Sequence, residues 1–276
     1  MSPYVLLPLS YCVFLGAYFI AYGRFLQFMP LLLLAALPIV TYRDTSRGLL
    51  RSWTPLVMIL LSYEALNGIV GSIAASDGIH SLYGVDSILW GGNLTGWVQS
   101  YFNSSSLTSV ATLLYELHMP LVVVTAFAIW RWRRGVFGHY VTVMAIVSFS
   151  ALVTFVLFPT APPWFAGVAK NLLADANAGP APGFASWLNN TILSDKFAAF
   201  PSLHAAYAMV FGYFMIRLDK RLAAVAIPIV VGILFSTVYL GQHYVIDLVG
   251  GAGYVIASCL IAERVQLFST DQFAKT

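Results

Sequence analysis

Apolar runs of 16–24 residues recur along the whole chain, and no other feature limits its fold so strongly. A helix needs about 20 such residues to cross the hydrocarbon of a bilayer, so the pattern is that of transmembrane helices. Charge agrees: Asp, Glu, Lys and Arg make up 9% of the chain, against about a quarter in soluble globular domains. Water is therefore a poor solvent for most of this surface. The expected fold is all-α, a polytopic helical membrane bundle forming one integral-membrane domain over 1–276. Candidate spans are roughly 4–22, 25–42, 55–76, 107–130, 138–158, 198–217, 222–240 and 243–262.

Basic residues set the orientation. Short loops carry Arg43, Arg47 and Arg51, then Arg131, Arg133 and Arg134, then Arg217, Lys220 and Arg221. Eight spans put these loops on one side with Arg264 and Lys275, leaving Arg24, Lys170 and Lys196 opposite. The positive-inside rule then makes the crowded side cytoplasmic, with both termini inside. The run from Tyr4 to Tyr22 lacks a basic leader and a convincing small-residue cleavage site, so it reads as a retained helix. Cys12 and Cys259 lie in apolar runs and read as packing residues. The outer side receives two long connections, about 77–106 and 159–197, rich in Gly, Pro, Asn, Ser and Trp. That mixture suits ordered interfacial loops with aromatic anchors.

Against this topology, FAAFPSLHAAYA and VYLGQHYVIDLVGG stand out. Pro201 and Ser202 open span six at its outer end, with His204 one turn in, and Pro201 suits a helix's first turn. His243 opens span eight at the same end, and Asp247 follows four residues on. Ionisable groups at membrane depth are costly and mark function by default. An Asp so placed fixes the tautomer of one imidazole, leaving its other nitrogen free as a nucleophile. A second His facing it supplies a proton to a leaving oxygen. Helix starts at both stretches offer N–H groups to a phosphate. The residues favour phosphoryl transfer at the outer leaflet through a phosphohistidine.

FPSLHAAYA together with STVYLGQHYVIDLVGG resembles the second and third signature motifs of the lipid phosphate phosphatase (type-2 phosphatidic acid phosphatase) superfamily. The first signature, Lys followed seven residues later by Arg-Pro, is absent, and Ser236-Thr237 stands where phosphatases of the group have Ser-Arg. The inositol phosphorylceramide synthase branch shares those departures, and FPTAPPWF (158–165) looks like its luminal motif. The resemblance covers roughly 110–262. It implies His243 as nucleophile, Asp247 as its orienting partner and His204 as the acid, with no cofactor and no metal. It also suggests phosphatidylinositol as donor and a hydroxyl-bearing lipid or polyol as acceptor. Without the arginines, the phosphate charge falls to Lys170, Lys196, Tyr239, Gln242 or backbone N–H groups, though either lysine also fits a solvated loop. Ser202 belongs to the same substrate-binding set.

Weaker signals are Glu64 in span three and Glu116 with His118 in span four, which either line a substrate cavity or form an interhelical network. Trp164 either shapes the mouth of the site or serves as a belt residue. Gly250, Gly251 and Gly253 suit close helix approach. Head-group transfer competes with hydrolysis of a lipid phosphate or pyrophosphate by the same residues, and with a non-catalytic lipid-binding or transport protein.

Overall fold

The computed structural model describes residues 53–60, 62–63, 78–102, 104–177 and 197–265. The expected spans 4–22 and 25–42, most of 55–76, and the residues Glu64 and Lys196 lie outside the described residues.

A two-residue strand β1 (His80–Ser81) is followed by two short helices, α1 (Tyr83–Trp90) and α2 (Leu94–Tyr101). The long helices begin with α3 (Ser105–Glu116) and α4 (His118–Trp132), followed after one 3-10 turn by α5 (Phe137–Leu157). Strand β2 (Thr160–Ala161) and helix α6 (Leu172–Asn177) belong to the next connection. The bundle closes with α7 (Leu203–Leu218), α8 (Ala223–Tyr239) and α9 (Val245–Arg264). Among the described residues three helices are long and apolar enough to cross a membrane, or four if the bent pair α3–α4 counts as one span. The chain is thus a mostly helical integral membrane protein, with β1 and β2 as a small parallel pair.

Two expected spans differ in form. The run 107–130 is not one straight helix: α3 and α4 meet at Leu117 with a 45° bend. Pro120 accounts for the break, because its ring has no N–H and clashes with the carbonyl four residues earlier, that of Glu116. Leu117 N instead shares the carbonyls of Leu113 and Leu114, both at 3.2 Å. The span placed at 198–217 starts as a helix only at Leu203 and is 16 residues long, about 24 Å at 1.5 Å per residue. Pro201 therefore precedes the helix rather than opening it, after a cis Phe200–Pro201 bond. The segment ahead of α7 is held extended by Thr160 instead.

Helix α7 is the centre of the bundle, packed on α8, α4, α9 and α5, and α5 in turn packs on α9 with Phe137, Tyr140, Val141, Val143, Met144 and Val147 fully buried. In a bilayer, apolar packing alone gives little preference for helix over lipid, so close fit and polar contacts add the specificity. Tyr140 Oη donates to Val122 O at 2.7 Å, joining α5 to α4, and Ser148 Oγ lies 2.9 Å from Tyr207 Oη, joining α5 to α7. Each such bond contributes about 0.6–1.7 kcal/mol in a membrane. Glycines let α9 approach closely: a Cβ at Gly251 would lie 2.7 Å from Ser202 O, and one at Gly250 would overlap the Phe200 ring. Gly253 meets nothing within 4 Å, so close approach explains two of the three.

Candidate active site

The turn between α8 and α9 carries the first histidine. Gly241 adopts φ +77°, a left-handed conformation that L side chains rarely take, and the carbonyl of Lys170 fills the space a Cβ would need. The turn folds back so that the backbone N–H groups of Gln242 and His243 both donate to Thr237 O at 3.1 Å. His243 is left almost fully buried, two residues ahead of α9.

Its ring is fixed from one side. Nδ1 lies 3.0 Å from Ala199 O and 3.5 Å from Asp247 Oδ2. A carbonyl only accepts, so Nδ1 carries a hydrogen, and in the neutral ring Nε2 keeps its lone pair. Nε2 in turn lies 3.2 Å from Nδ1 of His204, which is then the donor of that pair. The two histidines, one in the first turn of α7 and one in the turn before α9, lie side by side.

Asp247 is therefore not the nearest partner of the imidazole. The α9 helix starts at Val245, so His243 is not part of its regular face, and Asp247 Oδ2 accepts from Tyr244 N at 2.8 Å. The closer acceptor is the Ala199 carbonyl. Its position depends on Thr160, which is fully buried. Thr160 N donates to Phe197 O at 2.8 Å, Thr160 O accepts from Ala199 N at 3.2 Å, and Oγ1 accepts from Phe200 N at 2.7 Å. Thr160 also pairs with His80 through the β1–β2 register.

The start of α9 does not offer itself to a phosphate as expected. Asp86 Oδ1, brought in by α1, accepts from Ile246 N at 2.9 Å, so a carboxylate already occupies the first turn of α9. Burial raises the Asp86 carboxyl above its ordinary value, against the lowering effect of that N–H. At α7, Ser202 is the N-cap: its Oγ accepts from Ala205 N at 3.3 Å and its own N–H donates to Asp247 O at 3.0 Å. Ser202 is fully buried, and these contacts tie α7 to α9.

The other expected residues divide. His118 joins the pair, its ring centroid 4.0 Å from that of His204. Glu116 ends α3 at the bend, with Oε1 buried and without a hydrogen-bond partner. Tyr239 is fully buried and points to α3, with its hydroxyl 2.8 Å from Thr108 Oγ1. The Gln242 amide donates to Asn171 Oδ1 at 2.9 Å and Leu240 O at 3.2 Å. Lys170 is exposed, and its backbone N–H and C=O are both bound by the Gln99 side chain, at 2.8 and 2.9 Å. Trp164 is half-buried and donates its backbone N–H to Gly241 O at 3.2 Å.

Gln99 also donates to Tyr239 O at 2.9 Å, so one buried amide ties the Lys170 segment to the end of α8 just before the turn. Gln99, Asp86, Thr160, Tyr115 and the Ala199 carbonyl are the supporting groups that residue chemistry alone did not single out. Thr160 at least lay inside FPTAPPWF, and Asp86 is the lone acid of an otherwise uncharged helix.

Comparisons with known proteins identify relatives of this chain. The chain is 25% identical to the inositol phosphorylceramide synthase catalytic subunit of Schizosaccharomyces pombe, over 66% of this chain and 46% of that protein. It is 27% identical to the Saccharomyces cerevisiae catalytic subunit, over 69% of this chain and 51% of that one. A phosphoinositol dihydroceramide synthase of Bacteroides thetaiotaomicron is 26% identical, over 55% of this chain and 54% of that protein. The chain spans about half the length of these curated relatives. No solved structure matches it significantly. The family model for the PAP2 superfamily matches residues 80–261, from β1 into α9 and so across every group just described. The chain belongs to the PAP2 superfamily, and its relatives in it are inositol phosphorylceramide synthases.

Proposed function

We propose that this protein is a membrane phosphotransferase that moves a phosphorylated head group, inositol phosphate from phosphatidylinositol, to a lipid or polyol hydroxyl. One observation carries the reading: His243, held through Nδ1 by the Ala199 carbonyl, brings Nε2 to 3.2 Å from Nδ1 of His204. His243 Nε2 attacks phosphorus, and an N–P bond forms as the P–O bond to diacylglycerol breaks. His204, entering the step as the imidazolium, gives its Nδ1 proton to the departing oxygen and becomes neutral. The acceptor hydroxyl then attacks phosphorus, returning its proton to His204 as the N–P bond breaks and the new phosphodiester leaves. Asp247, 3.5 Å from Nδ1, stabilises the positive charge that develops on His243.

Charge supports a diester substrate. Among the described residues neither Lys nor Arg makes a hydrogen bond or ion pair with His118, His204, His243 or Asp247. A phosphate monoester carries about −1.5 to −2 at pH 7, whereas a phospholipid diester carries a single negative charge and needs less neutralisation. Lys170, exposed on the segment that packs against the Gly241 turn, is the described cation suited to meet that charge. The basic loops, with His204 in the first turn of α7 and His243 just ahead of α9, support a site on the extracytoplasmic or luminal side. The names of the relatives support inositol phosphate as the transferred group.

The test uses purified protein in detergent with labelled phosphatidylinositol, with and without hydroxyl acceptors. Acceptor-dependent labelled lipid is expected. Release of inositol phosphate alone would make the protein a hydrolase, and full turnover by His243→Ala would refute the mechanism.

A further inference from the structure

The bend between α3 and α4 does more than break a span. It delivers Tyr115 and His118 to the same ring, that of His204. Tyr115 stacks on His204 with centroids 4.1 Å apart and planes 24° from parallel. His118 lies 4.0 Å from the same centroid, tilted by 52°. The centroids of Tyr115 and His118 are 5.9 Å apart, so the three separations form roughly a right angle at His204. Tyr115 therefore covers the face of the ring while His118 abuts its edge. His118 is itself anchored, with Nδ1 2.7 Å from Tyr115 O. Both clamp residues are buried.

We infer that Tyr115 and His118 are positioning residues that hold the His204 ring with Nδ1 aimed at His243 Nε2, and that the bend at Leu117 exists at this site to bring them there. The inference rests on the reading of His204 as the acid. An imidazole has broad freedom about its second side-chain torsion, and the 3.2 Å contact with His243 restrains one edge only. A stacked phenol ring and an abutting imidazole remove the remaining rotation. In an unbent helix over 105–132 the residues 115 and 118 would share one face, but α4 would continue along the α3 axis. The 45° change of direction is what turns α4, packed on α7, onto the His204 side.

Two measurements test this, one with turnover and one without. A general acid matters for a poor leaving group and little for a good one. Tyr115→Leu should lower kcat with phosphatidylinositol by about a hundredfold, the lower end of acid catalysis. With the p-nitrophenyl ester of inositol phosphate, whose leaving group needs no proton, the loss should stay below about fivefold. Tyr115→Phe, which keeps the ring, should restore turnover, and His118→Ala should repeat the leaving-group pattern more weakly. Equal losses on both substrates would mean a merely structural role and overturn the inference. The second measurement is the side-chain nitrogen NMR spectrum of histidine-labelled protein. Tyr115→Leu should shift the His204 ring nitrogens and His243 Nε2, while Tyr115→Phe leaves them in place. Unchanged resonances in Tyr115→Leu would overturn the clamp even in a protein that turns over neither substrate, a result that by itself would count only against the head-group transfer reading.

Discussion

Replacing Thr160 by Val removes one oxygen atom and almost no volume, yet it should slow the enzyme. Oγ1 accepts from Phe200 N at 2.7 Å, and the same residue holds Phe197 and Ala199 through its backbone. Val leaves the Phe200 N–H without its acceptor in a mostly buried setting, which costs about 1–3 kcal/mol. The segment relieves that cost by shifting, and the Ala199 carbonyl shifts with it. His243 Nδ1 then loses its nearest acceptor, at 3.0 Å, and keeps only Asp247 at 3.5 Å. If the cost appears in the placement of the nucleophile, kcat falls roughly 5- to 150-fold. KM should stay constant, because Thr160 is 1% exposed and has no surface to offer a substrate. Thr160→Ser keeps the acceptor and should stay within about threefold of wild type. The assay is steady-state transfer from labelled phosphatidylinositol to a hydroxyl acceptor, with a thermal melt of each variant in the same detergent. A Thr160→Val enzyme with unchanged kcat, or one whose loss is entirely in KM, would refute the chain of contacts from Thr160 to His243.

Asp247→Asn should reduce kcat by roughly 10- to 100-fold without abolishing turnover, since the Ala199 carbonyl still holds the Nδ1–H tautomer; complete inactivity in a folded variant would restore Asp247 as the sole orienting group. Asp86→Asn should keep the cap on Ile246 N, because the amide oxygen still accepts, while changing the pH response of stability. The folded Asp86 carboxyl titrates above its unfolded value, so its contribution is fully present below the unfolded value and is lost as pH rises through the folded one. Melting temperature in Asp86→Asn should therefore fall less than wild type between acidic and neutral pH, and parallel curves would count against a buried carboxylate there. Gly241→Ala should destabilise the protein by more than about 1 kcal/mol, because φ is +77° and the Lys170 carbonyl occupies the Cβ position; a melt within 1 °C of wild type would show that the turn relaxes freely.

His204 and His243 were legible because an ionisable side chain in an apolar run needs a reason, and alternating spans put both at one end of the bundle. In the fold their ring nitrogens lie 3.2 Å apart. What escaped was set by contacts distant in sequence or by the backbone. The Ala199 carbonyl has no signature, since every residue carries one. Asp86 reaches Ile246 across 160 residues, and Gln99 reaches Tyr239 across 140. Tyr239 and Gln242, expected among the groups that meet the phosphate charge, have side chains that bond to Thr108 and Asn171. The run 107–130 looked continuous because hydropathy responds to side-chain polarity, and Pro120 is apolar enough to pass while its missing N–H breaks the helix.

The supporting contacts also explain where the family resemblance begins. The histidine motifs lie between Phe200 and Gly251, yet the matched region starts at residue 80, on β1. The geometry supplies a reason. β1 pairs with Thr160, α1 contributes the Asp86 cap, α2 the Gln99 bracket, and α3 the Tyr115 ring. None of these groups has chemistry of its own to offer a phosphodiester, but each fixes a different degree of freedom of His204 or His243: the strand beneath Nδ1, the first turn of α9, the turn carrying His243, and the rotation of the His204 ring. Two imidazoles in a low-dielectric bundle react only when both tautomer and direction are set in advance. A pair taken from α7 and α9 alone would have neither. The residues from 80 to 105 therefore contribute to the surroundings of the two histidines as much as the motifs that carry them.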